Sequence, residues 1–383
     1  MRKQMLVGMG VLLLAGVVLA AGQSPAAPAG PVKKYSPPRM ADGHPDLNGT
    51  YDAATLTPLE RNPGSKPTMT KEEAAKQEAI AANLKQEGDK AIDGNRTAPP
   101  KGGDGSFGPA GNVGGYNSGW IDPGNTFTVV NGEIRASIVV DPPDGRAPPL
   151  VKGNARGAAS AYGGSLSGTQ LLQLLLTPRP PRPTSDQTES SDPGLERVPG
   201  AYDDPEARPL GERCLIGFGS TGGPPMLPNY FYNNNHQIVQ TPDRIVIVTE
   251  MVHDARIVRM NSQHVSPNIR LWLGDSIGHW EGDTLVVETT NFTDKTRFRG
   301  SSENLKVTER FTRVDDHTLL YRFTIDDPST WTKPWTGEYS WPTSSGPIYE
   351  YACHEGNYAM KDILKGARLR EKEEAAKGVK TKE

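Results

Sequence analysis

The sequence predicts a mainly β fold. It reads as an antiparallel meander, barrel-like or a strongly curled sheet, with long irregular Pro/Gly-rich loops and a C-terminal helix. Three observations carry this prediction. After Gln237 the chain becomes a series of short segments rich in β-branched residues and separated by turn chemistry. No segment of helical length lies between them, which excludes the βαβ units of a doubly wound parallel sheet. Finally, 42 Gly and 34 Pro among 383 residues, with only 35% apolar residues, mark a loop-rich protein with a modest core.

The first element is an export signal. Met1-Arg2-Lys3 is a basic start, Leu6 to Ala20 is an uncharged apolar run, and small Ala20, Ala21 and Gly22 follow. That order is the pattern of a secretory signal peptide over 1–20. The run falls short of the roughly 20 residues that span a bilayer, so no stable membrane span is expected. A periplasmic or secreted location follows. Residues 21–40 read as a mobile Pro/Ala linker, and 41–377 as a single β-rich domain before a charged tail at 378–383.

Within the domain, Lys71 to Gln86 reads as one surface helix, with Thr68 and Thr70 as cap candidates. Thr126–Val130 and Ile134–Val140 flank Asn131-Gly132, a strong hairpin signal. An irregular insertion runs over about 142–211 and contains the apolar run Leu171–Leu176. It also contains Pro178-Arg179-Pro180-Pro181-Arg182-Pro183, which suits an extended polyproline segment, as a stiff loop or as a ligand for an envelope protein partner. The predicted strands are Gln237–Thr241, Arg244–Met251, Ala255–Met260, Thr284–Thr290, Lys306–Val314 and Thr318–Ile325, with Tyr339–Trp341 and Ile348–Ala352 as further candidates. Tight turns between neighbours make them antiparallel. Asn357 to Lys377 reads as the C-terminal helix.

Charge and cysteine usage narrow the function classes. A net charge of −3 offers no basic stripe, so no nucleic-acid partner is expected. The two cysteines, Cys214 and Cys353, favour a disulfide in an oxidising compartment over two free thiols. Neither belongs to a CxxC pair, and no cofactor motif is present: Gly217, Gly219 and Gly222 match GxGxxG, but Pro224-Pro225 follow where a helix would begin.

The string Gly278-His279-Trp280-Glu281-Gly282-Asp283-Thr284-Leu285-Val286-Val287-Glu288-Thr289-Thr290-Asn291-Phe292 resembles a signature of a large family of exported bacterial proteins of unknown function. Tyr349-Glu350-Tyr351-Ala352-Cys353-His354-Glu355-Gly356-Asn357-Tyr358 resembles its second signature, and Pro45 to Tyr51 its opening segment. The resemblance implies kinship and supplies no reaction. Gly49-Thr50-Tyr51 is loosely similar to the Gly-x-Trp entry strand of calycin barrels such as lipocalins, in architecture only.

Candidate site residues come from parity and charge. Leu319, Tyr321, Phe323 and Ile325 form an apolar face, which Val307 and Phe311 should meet, with Glu309 between them. Glu250 lies between Val248 and Val252, and Glu288 follows Val286. A carboxylate on an apolar face either lines a polar cavity with a raised pKa or forms an internal ion pair, for example with Arg256 or Arg310. His253-Asp254 suits general acid/base chemistry or simply a turn, and Asp254 with Arg256 shares the spacing of a rim charge pair. Glu309, Glu250, His253 and Asp254 are therefore the catalytic candidates. Tyr232, Asn235, Arg256, Glu288 and Tyr321 are the candidates for contacting an unknown small organic molecule. His279 with Glu281 offers two of the three or four ligands a metal needs, and His354-Glu355 sits beside the expected disulfide, so no metal site is assigned. The leading expectation is a small-molecule binder using a barrel interior, with an acid/base enzyme in the same cavity and an envelope interaction protein as alternatives.

Overall fold

The computed structural model describes residues 35–88, 95, 121–151, 200–217, 223–228, 232–296 and 298–376. The signal segment 1–20, most of the linker, the Leu171–Leu176 and Pro178–Pro183 runs, the glycines at 219 and 222, and Tyr230 lie outside the described residues.

Among the described residues, thirteen strands and two α-helices carry the architecture. The strands are β1 (Gly49–Asp52), β2 (Thr68–Met69), β3 (Val129–Val130), β4 (Glu133–Arg135), β5 (Val139–Asp141), β6 (Asn235–Gln240) and β7 (Arg244–Thr249). They continue with β8 (Ala255–Met260), β9 (Asp275–Glu281), β10 (Thr284–Thr290), β11 (Lys306–Arg313), β12 (Thr318–Asp326) and β13 (Trp335–Pro342). The helices are α1 (Lys71–Gly88) and α2 (Tyr358–Ala376). Ten strands form one curled half-barrel sheet in the order β1-β6-β7-β8-β9-β10-β11-β12-β13-β5, and β2-β4-β3 form a small second sheet. Tyr51 bridges to Thr343, and the Ser344 amide donates to the Thr50 carbonyl at 2.8 Å, which draws β1 toward the end of β13. Among the described residues, no helix is long and apolar enough to cross a membrane.

The mainly β prediction holds, with four corrections. β8 and β9 pair in parallel, Val258 opposite Ser276, so the sheet is mostly but not wholly antiparallel. β9 itself was not foreseen. Its inner position Gly278 has no side chain to mark a strand, and a Cβ there would meet Val258 and Met260 at 2.8 and 3.0 Å. The expected strand Ile134–Val140 is two strands: β4 closes the hairpin, while β5 leaves it to pair with β13. The Asn131-Gly132 turn is as read, both residues having positive φ, 53° and 80°. Finally, residues 348–352 are irregular, and β13 extends over eight residues where only Tyr339–Trp341 had been marked.

Period-two alternation sorts the faces. Leu319, Tyr321, Phe323 and Ile325 on β12 are fully buried, as are Val307, Glu309 and Phe311 on β11. Phe323 lies directly opposite Gly337 on β13, where any Cβ would collide with its ring. Glycine there lets the aromatic cover the neighbouring strand. Outside this core, α1 begins with a capping box: the Glu73 amide donates to Thr70 Oγ1 at 3.1 Å, and the Thr70 amide donates to Glu73 Oε2 at 2.8 Å. Its Ala74 and Ala81 pack in a second small core with Leu56, Ile121 and Phe127.

Cys214 and Cys353 are bonded, with Cα atoms 5.8 Å apart and 139 residues apart in sequence. The bond ties the start of α2 to the 200–217 segment. Because α2 has no buried residue of its own, it is held by this covalent tie and by Arg368, which donates to the Tyr202 carbonyl at 3.0 Å. We expect replacement of both cysteines by serine to cost about 3–5 kcal/mol in urea denaturation, as loop-closure entropy returns to the unfolded chain. Non-reducing peptide mapping should recover the 214–353 cross-link, and two free thiols there would contradict the fold.

Candidate functional site

The inward carboxylate proves to be half of an ion pair. Arg256 on β8 makes a two-pronged contact with Glu309 on β11, through Nη1 to Oε2 and through Nη2 to Oε1 at 3.0 Å. Both side chains are buried, Glu309 completely. Tyr321 Oη donates to Glu309 Oε1 at 2.8 Å and accepts from the Met226 amide at 2.9 Å, while Tyr339 Oη donates to the Met226 carbonyl at 2.9 Å. Burial and the Glu309 charge push the Tyr321 hydroxyl far up, so it keeps its proton.

Glu309 points inward as parity requires, and of its two expected alternatives it forms the internal ion pair with Arg256 rather than lining a cavity. The same arrangement corrects two other expectations. Arg256 reaches inward to Glu309 rather than forming a rim pair with Asp254. Tyr321 is fully buried and spends its hydroxyl on Glu309 and Met226, leaving none for a ligand. Glu288 lies on the outer face of β10, bound to Lys306 at 2.8 Å, which lowers its pKa.

The other sequence candidates converge on one end of the half-barrel. β7 stops at Thr249, and Glu250 turns out of strand geometry into a short 3-10 turn, Met251–His253. The expected parity of Glu250 with Val248 and Val252 is therefore broken. Val252 and His253 have φ of 62° and 49°. For a β-branched valine that is a strained backbone, a feature that often marks functional corners. The buried Glu250 carboxylate accepts from Asn235 Nδ2 at 2.9 Å, and from the Asn235 and Tyr349 amides at 3.3 Å each. It thereby clamps the β6–β7 corner to the C-terminal segment. His253 Nδ1 lies 3.2 Å from the Tyr351 carbonyl oxygen.

Tyr351 stacks on Tyr232 with ring centroids 6.1 Å apart, and their hydroxyls are 3.4 Å apart. Burial, then the Tyr232 hydroxyl, raises the pKa of Tyr351. The two tyrosines wall a cleft of about 430 Å³ that also touches the Cys214–Cys353 bond, Asn233, Asn357 and Met360. Glu212 lines it too, held by a two-pronged contact with Arg208 at 2.9 and 3.1 Å. That volume suits a small organic molecule.

Carboxyl groups at this end are perturbed. Asp254 is pushed up to about 6 by burial, with His253 opposing, and its Oδ2 is buried without a hydrogen-bond partner among the described residues. Asp52 is pushed up to about 6 by burial, against the Ala54 amide, with Asp122 and Glu250 adding repulsion. His236 lies one position further along β6, buried against Trp341 with Nδ1 3.1 Å from Thr249 Oγ1. Burial first, and Arg256 second, hold it down to about 3. Asp52, Asp122 and Tyr351 were not picked out from the sequence. Tyr351 at least lay inside the second signature string.

Elsewhere, His279 is 3.3 Å from Glu281, whose carboxylate is taken by Arg310 at 2.7 Å. His354-Glu355 is an exposed part of the turn before α2. Among the described residues, no group of three or more His, Cys, Asp or Glu is arranged to hold a metal ion. No protein-family model matches the chain, and neither does any curated protein.

A pH titration tests this electrostatic picture. Carbon-detected NMR should find Asp52 and Asp254 titrating near 6, while the His236 ring stays neutral from pH 8 to 5. The stability consequences oppose each other. The unfolded chain protonates His236 near 6.5 but the folded chain refuses the proton until about 3, so its contribution is present above 6.5 and is lost as pH falls. Asp52 and Asp254 bind protons more readily when folded, so theirs is present below 3.8 and lost as pH rises through about 6. Accordingly, the stability gap between wild type and His236→Gln should narrow by about 1.4 kcal/mol per pH unit below 6.5. A constant gap contradicts the buried neutral histidine.

Proposed function

We propose that this chain is an exported protein that captures a small organic molecule in the cleft beside the Cys214–Cys353 bond, not in the interior of the half-barrel. The observation that carries the reading is the tyrosine-walled cleft itself. It is open, of ligand size, and lined by an aromatic stack, two asparagines and a methionine. The interior offers no such wall, because Arg256, Glu309, Tyr321 and Met226 satisfy one another there. The disulfide fits an oxidising compartment, in keeping with a periplasmic or secreted location and with the basic, apolar and small-residue order of 1–22. Kinship with the exported family of unknown function belongs to the same proposal. It rests on the two signature strings.

One observation favours a second reading, an acid/base enzyme at the same end. Asp254 combines a pKa near 6, an unpartnered buried oxygen and a strained neighbouring turn, as a proton-transfer group requires. On that reading Asp254→Asn abolishes turnover and removes the limb near pH 6 from the rate profile. The envelope-partner reading rests on Pro178–Pro183 alone, which lies outside the described residues.

The test is mass spectrometry of small molecules extracted from natively purified, full-length protein, with N-terminal sequencing of the exported form. We expect a stoichiometric organic molecule that falls about tenfold in Tyr232→Ala, and a mature N-terminus near Ala21. A ligand content indifferent to Tyr232→Ala, or no bound molecule in any preparation, rejects the cleft. An intact Met1 on cytosolic protein rejects export.

A further inference from the structure

A second groove lies far from these residues in sequence, between the 61–69 loop and α1. Its volume is about 640 Å³, within the range of small-molecule sites. Pro58, Met69 and Phe127 give it an apolar floor, and Arg61, Lys66 and Lys76 give it a positive wall.

Arg61 is the anomaly. Three arginines are buried among the described residues: Arg61, Arg208 and Arg256. Arg256 is forked onto Glu309, and Arg208 is forked onto Glu212. Arg61, only 7% exposed, has no carboxylate among the described residues. Among the described residues its guanidinium makes one hydrogen bond, Nη2 donating to the Pro143 carbonyl at 2.6 Å, and it packs against the turn at Gly145. A guanidinium carries five N–H donors, and burying its charge without a counterion is costly. Lys66 and Lys76 likewise form no ion pair with a described carboxylate, so none of the wall's three cations has a counterion among the described residues. The acid lining the groove is Glu73, whose Oε2 is already occupied by the Thr70 amide in the capping box.

We propose that this groove binds an amphiphilic organic anion. Its carboxylate pairs with the Arg61 fork, Lys66 and Lys76 add long-range attraction, and its apolar body lies on Met69 and Phe127. A planar carboxylate matches the fork of a guanidinium, and the apolar floor separates such a ligand from simple inorganic ions. This site is independent of the disulfide cleft and of any reading of it.

The probes are octanoate and its neutral isostere octanamide, titrated calorimetrically into the full-length mature protein at low and moderate salt. Octanoate should bind at least about tenfold more tightly than octanamide, and more weakly as salt rises. Arg61→Gln should lose about tenfold or more in octanoate affinity. Lys66→Gln/Lys76→Gln, which alters only exposed side chains, should weaken binding severalfold with an unchanged melting temperature. That double variant decides the matter if Arg61→Gln does not fold. Equal affinity for the two probes, no binding of octanoate, or octanoate binding indifferent to the lysine pair would each overturn the proposal. Retention on phosphatidylglycerol vesicles without binding of free octanoate would overturn it too, by making the groove a lipid-surface contact.

Discussion

A buried charge pair organises the half-barrel. Arg256 and Glu309 sit on strands separated by two others, a distance of about 14 Å along a flat sheet. Their direct contact requires the sheet to curl, and the curl brings the aromatic faces of β11, β12 and β13 over the same interior. Neither charge tolerates burial alone, so each fixes the position of the other. Tyr321 then takes a remaining lone pair of Glu309, Met226 takes Tyr321, and Tyr339 takes Met226. The chain of hydrogen bonds draws the 223–228 segment across the interior. What a calycin-like barrel would leave as a ligand chamber is here filled by the Arg256–Glu309 network and by aromatic rings, among which the Trp335 and Trp341 indole nitrogens have no hydrogen-bond partner among the described residues.

With the interior occupied, the carboxyl groups with raised pKa stand at the periphery. The 3-10 turn after β7 places Glu250, His253 and Asp254 against Asn235, Tyr232 and the C-terminal segment. Here the fold tolerates a valine at positive φ and a carboxyl oxygen without a partner among the described residues. The disulfide holds Tyr351 in this corner by fixing a segment that has little apolar anchorage of its own. Covalent tie, strained turn and tyrosine stack together make a rigid wall beside an open cleft. Preorganisation of this kind lowers the ordering cost of binding.

Local signals in the sequence were legible where the structure is local. Asn131-Gly132 marked its turn, Thr70 was one of two cap candidates for α1, and strand parity turned Glu309 inward between Val307 and Phe311. The two cysteines marked the bond that ties α2. Non-local features were not legible. Parity left Glu309 open to a polar cavity or to an ion pair with Arg256 or Arg310, and only the curl of the sheet selects Arg256, 53 residues away, over the rim pairing of Arg256 with Asp254. β9 was hidden because Gly278 interrupts its inner face, and its parallel pairing with β8 depends on the course of the 261–274 crossover, which its local turn residues do not set. Five of the proposed site residues did converge, namely Glu250, His253, Asp254, Tyr232 and Asn235. Asp52 and Asp122 join them through strand pairing and the sheet's end, which no local pattern reports.

The most direct measurement is a double-mutant cycle on the interior pair, using Arg256→Met, Glu309→Leu and the double variant in urea denaturation. Each single change strands a buried charge and should cost about 3–5 kcal/mol, whereas the double change should recover most of that loss. Single variants that lose less than about 1 kcal/mol each, with effects that simply add, would contradict an interior organised by this pair.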